Sequence, residues 1–247
     1  MPNPPANPQI LKSSNPQISA VLLSGGLDSA VLLAEEASRG EVQPIYVSAG
    51  LAWEHAECDI IARFLASGGF GHRVSPLVSL SVDMRDVYVA THWSIQGQPP
   101  AYHTPDEDVY LLGRNIILLA KAGVYCAAAG LERLVLGTLA HNPFPDATPE
   151  FRSAMAHALS LGLAHTLRIE APYADVSKAE VVRRGVGLGV PLELTLSCMN
   201  PAVASSEAGP APARHCGACS KCRERHDAFL EAGITDATDY ADMANIR

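Results

Sequence analysis

Hydrophobic and polar positions along this chain fall into short apolar runs separated by longer amphipathic stretches. Ile18 to Leu23 is a short apolar run stopped by Ser24-Gly25-Gly26, the pattern of a buried strand entering a turn. Asp28 to Ser38 is rich in Ala and Leu and predicts a helix. Val42 to Val47 predicts a second strand, Glu54 to Ala66 a second helix and Val74 to Leu80 a third strand. Asn115 to Ala129 reads as a long buried helix, and Arg133 to Leu136 as the strand after it. Thr148 is placed to cap a helix that has Pro149 at its first position. Thr166 to Ile169 is a fifth candidate strand, and Ser177-Lys178-Ala179-Glu180 has the form of a capping box opening another helix.

Strands alternating with helices predict an α/β fold, a Rossmann-like parallel sheet with helices on both faces. Residues 81–112 break the rhythm: Pro99, Pro100 and Pro105 stand among scattered aromatics, which suggests an insertion on the substrate side. No internal repeat interrupts the pattern. From Cys198 onward the composition changes to a cysteine-bearing module. The expected organisation is therefore a disordered tail over 1–17, an α/β domain over 18–197 and a C-terminal metal module over 198–247.

Composition narrows the class. A hydrophobic content of 48% in 247 residues allows a full core, and no apolar run reaches the length of a membrane span. The formal net charge of -8 argues against a phosphate backbone as main partner. The Pro-, Asn- and Ser-rich first 17 residues lack the apolar core of a signal peptide, so a cytoplasmic, reducing compartment is expected. The six cysteines are then expected as thiols or metal ligands.

Ser24-Gly25-Gly26-Leu27-Asp28-Ser29 lies between the first strand and the first helix, where an open α/β sheet binds ligands. Its glycines permit torsions that turn backbone N–H groups inward, and the helix N-terminus adds a positive dipole end. Ser24 and Ser29 supply hydroxyls. An acid beside phosphates needs a cation, which assigns Asp28 to Mg2+. The loop lacks the Lys of a Walker P-loop, and no G-x-G-x-x-G pattern occurs. The string resembles the S-G-G-x-D-S signature of the PP-loop ATP pyrophosphatases, which implies that it holds the ATP pyrophosphate while AMP is transferred to an acceptor oxygen. Val47 and Gly137, at the carboxyl ends of the second and fourth predicted strands, join it as nucleotide-binding candidates.

Cys198, Cys216, Cys219 and Cys222 match a tetrahedral structural Zn2+ site, with an iron–sulfur cluster as the rival reading. His215 is expected on an exposed loop, and Cys58 and Cys126 in the core. Arg114, at a helix start, could clamp a carboxylate or phosphate or form a surface ion pair. Asn115 could read a base edge or cap the helix. Lys178, after the last strand, could neutralise pyrophosphate or be a solvated helix lysine.

Together, the loop, Gly113-Arg114-Asn115, Ser177-Lys178-Ala179-Glu180 and the four cysteines resemble the 7-cyano-7-deazaguanine synthase family in order and spacing, from about Ile18 to Gly233. The resemblance implies ATP- and ammonia-dependent conversion of 7-carboxy-7-deazaguanine, through its amide, to the nitrile that feeds queuosine and archaeosine synthesis. It also implies a homodimer with one structural zinc per subunit, and a phosphate-contacting Lys178. The chain departs from the family in two places. Ser48-Ala49-Gly50-Leu51-Ala52-Trp53-Glu54-His55 replaces an Asp-Tyr-Gly-Gln-x-His segment, and Phe144-Pro145-Asp146-Ala147-Thr148 keeps the Asp of Tyr-Pro-Asp-Cys-Arg but not its Cys or Arg.

For the planar base, Trp53, Tyr102 and Phe144 are the candidate walls. Asp146 is the candidate acceptor for a guanine-like N1–H and amine. Two other functions remain open: a relative that stops at the amide or joins the carboxylate to another amine, and a zinc-bearing nucleic-acid-binding regulator using Arg214, Lys221, Arg223 and Arg225.

Overall fold

In a computed structural model, residues 18–69, 71–202, 205–206, 209–210 and 213–246 are described. The segment read as a disordered tail, 1–17, lies outside them. Five strands, β1 (Ser19–Leu22), β2 (Val42–Ser48), β3 (Val78–Ser81), β4 (Arg133–Val135) and β5 (Arg168–Glu170), form one parallel sheet in the order β3-β2-β1-β4-β5. The order reverses between β1 and β4, so the loops leaving these two strands diverge and open a crevice above them.

Side-chain alternation sends each strand's residues to two cores. On one face Val21, Val42, Tyr46 and Val135 pack with α1 (Leu27–Arg39), with Ile61 and Phe64 of α2 (Glu54–Ala66), and with α6 (Lys178–Gly187) and α7 (Ser220–Ala232). On the other, Ala20, Ile45, Leu134 and Ile169 meet α4 (Arg114–Ala129) and α5 (Pro149–Leu163). The parallel sheet covered on both faces is as the sequence predicted. At the sheet's amino edge Arg133 gathers the elements, donating to Glu170 Oε2 at 2.8 Å, Ser19 Oγ at 2.6 Å and the buried Glu36 carboxylate.

The local signals place most boundaries. α2 spans the predicted residues. Thr148 Oγ1 accepts from Phe151 N at 3.1 Å and Ser177 Oγ from Glu180 N at 3.2 Å, as caps do. Glu180 closes no box, since its carboxylate turns to Arg183 and Arg184. The third strand starts late, at Val78: Val74 forms only a lone bridge to Val42, and Pro76 lacks the N–H that would continue the ladder. β5 begins two residues later than predicted. α4 is half-buried, with Ile116 and Val124 facing outward.

Residues 82–112 fold over the carboxyl edge of β2. Trp93, on the short helix α3 (Trp93–Gln96), stacks on Trp53 at 5.8 Å, and Tyr88 Oη donates to Leu112 O at 2.9 Å. Leu51, Trp53, Val109 and Leu111 form a separate small core there. The C-terminal residues share the main core, because Ala228 and Phe229 of α7 pack into the α1–α6 layer. Among the described residues no helix is long and apolar enough to cross a membrane.

Leu134→Ala, at a fully buried position of β4, should lower unfolding free energy by roughly 2–5 kcal/mol. Leu161→Ala, 70% exposed on α5, should change it by no more than about 0.5 kcal/mol in the same urea titration.

Candidate active site

The Ser24–Ser29 loop turns from β1 into α1 at the crevice. Gly25 adopts φ +76°, and a Cβ there would sit 2.9 Å from Ile60 Cγ2 and 3.0 Å from Ile61 Cγ1, so only glycine fits against α2. Ser29 Oγ donates to Gly26 O at 3.0 Å and accepts from Ser24 N at 3.2 Å, bracing the turn. Gly26 occupies the N-cap position of α1 with no side chain to cap it, its own N–H donating to Ser24 Oγ at 3.3 Å, which leaves the helix start open to an anion. Leu27 is buried beneath the loop. Gly137, after β4, closes the opposite wall: a Cβ there would lie 3.4 Å from the Asp28 carbonyl carbon.

Asp28 stands in a chain of charges. Lys178 Nζ donates to Asp28 Oδ2 at 3.1 Å and to Glu224 Oε1 at 2.5 Å, and Lys221 Nζ reaches the other Glu224 oxygen. Burial disfavours charge on Lys178, but the two carboxylates outweigh it and its pKa rises above the ordinary lysine value. Burial likewise opposes Glu224, yet Lys178 and Lys221 pull its pKa down to about 2. Asp28 Oδ1 is buried and, among the described residues, has no hydrogen-bond partner. Such an orphaned acceptor fits a cation site.

The crevice holds a cavity of about 260 Å³, lined by Ser24, Gly26, Asp28, Ser29, Val47, Arg114, Asn115, Phe144, Asp146 and Lys221 among others, and a neighbouring one reaches Trp53 and Lys178. Among the described residues no carboxylate is within ion-pair distance of Arg114, and its buried Nε has no partner. A guanidinium held unpaired at a cavity wall is available to an anionic ligand. Phe144 faces Tyr110 at 5.1 Å, so the apolar wall is a pair of rings of which the sequence indicated one. Trp53 is 3% exposed and covered by Trp93, while Tyr102 packs among the cysteines, away from the main cavity.

Asp146, also buried, takes up the N-terminus of α4. Its Oδ2 accepts from Asn115 N at 2.9 Å, and its carbonyl from Asn115 Nδ2 at 3.1 Å. Asn115 thus neither caps its own helix nor floats: it is oriented by Asp146. Glu57 is a residue the sequence reading missed. It lines both cavities and accepts from Tyr46 Oη at 2.8 Å and Trp53 Nε1 at 3.1 Å. Burial raises its pKa to about 7 against the opposing pull of Arg114.

The four cysteine sulfurs lie within 4.8 Å of one another, with neighbouring pairs at 3.5, 3.8 and 4.0 Å. Ligands about 2.3 Å from a common zinc stand about 3.8 Å apart in a tetrahedron, so the spacing fits that ion. Two nearby expectations fail. His215 is buried and accepts from Ser197 N at 3.0 Å, because its loop pairs with the chain around Asp239. Cys58 is exposed, since α2 buries Ala56, Glu57, Ile60, Ile61 and Phe64 on its other side; Cys126 is core as expected. The basic cluster is internally spent: Arg225 is fully buried on Thr238, Thr195 and Leu192 O, Arg214 pairs with Asp239, Arg223 with Asp106, and Lys221 with Glu224.

Gly25→Ala is the direct check on the loop. The left-handed torsion alone costs about 1–3 kcal/mol, and the Ile60 contact adds to it. The variant should melt at lower temperature than wild type by calorimetry.

The chain also matches a known family. The model of the family described as "Queuosine biosynthesis protein QueC" matches residues 18–233. The chain is 35% identical to the 7-cyano-7-deazaguanine synthase of Anaeromyxobacter dehalogenans over 93% of its length and 98% of that protein's. It is 34% identical to that of Xanthomonas campestris pv. campestris (90% and 97% covered) and 33% identical to that of Thermoplasma volcanium (92% and 92%). A glycine loop, a free arginine and a four-cysteine cluster therefore sit in a chain that belongs to the 7-cyano-7-deazaguanine synthase (QueC) family.

Proposed function

We propose that this protein is an ATP-dependent carbon–nitrogen ligase that converts 7-carboxy-7-deazaguanine and ammonia to 7-cyano-7-deazaguanine through an adenylated intermediate. The observation that carries this is one cavity shared by the phosphate loop and the unpaired Arg114, in a chain of this family.

The loop N–H groups with Ser24 and Ser29 hold the ATP phosphates, and Val47 and Gly137 border the nucleotide. The orphaned Asp28 Oδ1 fits Mg2+, which when bound offsets triphosphate charge. Lys178 keeps its positive charge beside the loop and steadies the departing pyrophosphate. Arg114 holds the substrate carboxylate so that its oxygen faces the α-phosphorus. Phe144 and Tyr110 flank the planar base. Asn115 and Asp146 read its edge: a carboxylate has about four lone-pair sites, and those left over can accept from a guanine N1–H and amine. Trp53 supports this wall from behind.

The four cysteines hold Zn2+, which when bound fixes the turn that opens α7. Residues 198–247 are then a metal-bearing segment, and a thiolate site suits a reducing cytoplasm. A homodimer belongs to the same reading. With the basic side chains around the cysteines paired internally, nucleic acid has no free patch among them.

Mass spectrometry of products from ATP, ammonia and 7-carboxy-7-deazaguanine should find AMP and the nitrile. Accumulated amide without nitrile would favour the relative that stops one step earlier, a reading kept in view by the altered Ser48–His55 segment. No AMP would overturn the proposal. Asp28→Asn should cut AMP formation about 100-fold or more with the fold unchanged by circular dichroism. Elemental analysis should return about one zinc per chain, and iron with labile sulfide would refute the zinc assignment.

A further inference from the structure

Ammonia presents a chemical problem that the residues assigned so far leave unsolved. Near neutral pH it is almost wholly ammonium, which has no lone pair to attack an acyl adenylate. A group in the site must take a proton from it. Asp28, Lys178, Glu224 and Lys221 are bound to one another, and Asp146 is turned toward Asn115. Arg114 is always a cation.

We infer that Glu57 is the base that holds the incoming ammonium and deprotonates it. This rests on the adenylating function proposed above. Glu57 is 7% exposed on α2, and both cavities touch it. Its backbone carbonyl abuts the phosphate loop, 3.3 Å from where a Gly25 Cβ would stand. The carboxylate is aimed by two donors on different elements, Tyr46 Oη on β2 and the Trp53 indole N–H. These two bonds leave lone pairs facing the cavity for a cation with several N–H donors.

The step balances. Glu57 carboxylate takes one proton from ammonium and becomes the neutral acid. The ammonia lone pair attacks the acyl carbon, and the C–O bond to AMP breaks with AMP leaving as the anion. The nitrogen's second surplus proton passes to the departing phosphate, and Glu57 returns its proton to water. The charged groups around Glu57 are Arg114 from α4, which favours the carboxylate, and Glu54 on its own helix, which opposes it, with Tyr46 donating from β2. Burial outweighs them and sets the pKa at about 7, close to the working range of a general base.

The test separates the two half-reactions and two amines. Hydroxylamine is largely unprotonated near neutral pH and needs no base to release its lone pair. With Glu57→Gln, carboxylate-dependent pyrophosphate exchange should stay within about threefold of wild type. Turnover with ammonium should fall about 100-fold, while turnover with hydroxylamine should remain within about threefold, and the residual ammonium rate should climb with pH as free ammonia increases. Tyr46→Phe keeps the carboxylate but removes a bond that stabilises it. Its ammonium profile should therefore shift its acidic limb to higher pH, a change that a packing role would not produce. Equal losses with both amines, or an unmoved limb in Tyr46→Phe, would overturn the assignment alone. Wild-type protein without carboxylate-dependent exchange would overturn the proposed function, and the assignment with it.

Discussion

The ion chain Asp28–Lys178–Glu224–Lys221 is the contact on which the site depends. Its members come from three separate elements: the start of α1, the start of α6 and the first two turns of α7. Two cations and two anions in a half-buried place would each be costly alone. Paired end to end, Lys178 and Glu224 are held in their charged forms, the one by its neighbouring carboxylates and the other by its neighbouring lysines. The chain brings the helix that carries Cys222 to the edge of the glycine loop. A second tie runs beside it, from Leu196 N to Gly25 O at 2.8 Å, two residues before Cys198.

This arrangement gives the cysteine cluster a role beyond closing the C-terminus. Cys219 is the N-cap of α7, with Lys221 in the first turn and Glu224 in the second. A metal that fixes the sulfurs therefore also fixes two charges at the nucleotide end of the cavity. Arg225, one residue further, is buried against Thr195, Ser197 and Leu192 O, and so locks the same helix to the chain that approaches Cys198. The cysteine cluster and the glycine loop are parts of one packed unit.

Much of this was legible in the residues because it is encoded locally. The loop's glycines, the caps at Thr148 and Ser177 and the spacing of the cysteines each act within a few positions. So does the amphipathic pattern of α2, apart from Cys58, whose placement needed the burial side of that helix. What was not legible depends on partners far along the chain. Glu57 looked like any helix glutamate until Tyr46 and Trp53 were seen to hold it, and Lys221 and Arg225 looked like a basic patch until Glu224 and Thr195 were found opposite them. Asp146 was expected as an acceptor for a ligand; that it also holds the N-terminus of α4, 31 residues earlier in the chain, was not. Pro76 stopped a strand that apolar pattern alone would have extended.

The central claim is that the loop and Arg114 bring a carboxylate oxygen to the α-phosphorus of ATP. The most direct measurement follows that oxygen. With 7-carboxy-7-deazaguanine labelled by heavy oxygen in its carboxylate, the account predicts that the label leaves in the phosphate of AMP. Label found in inorganic phosphate, or AMP formed without label, would contradict it.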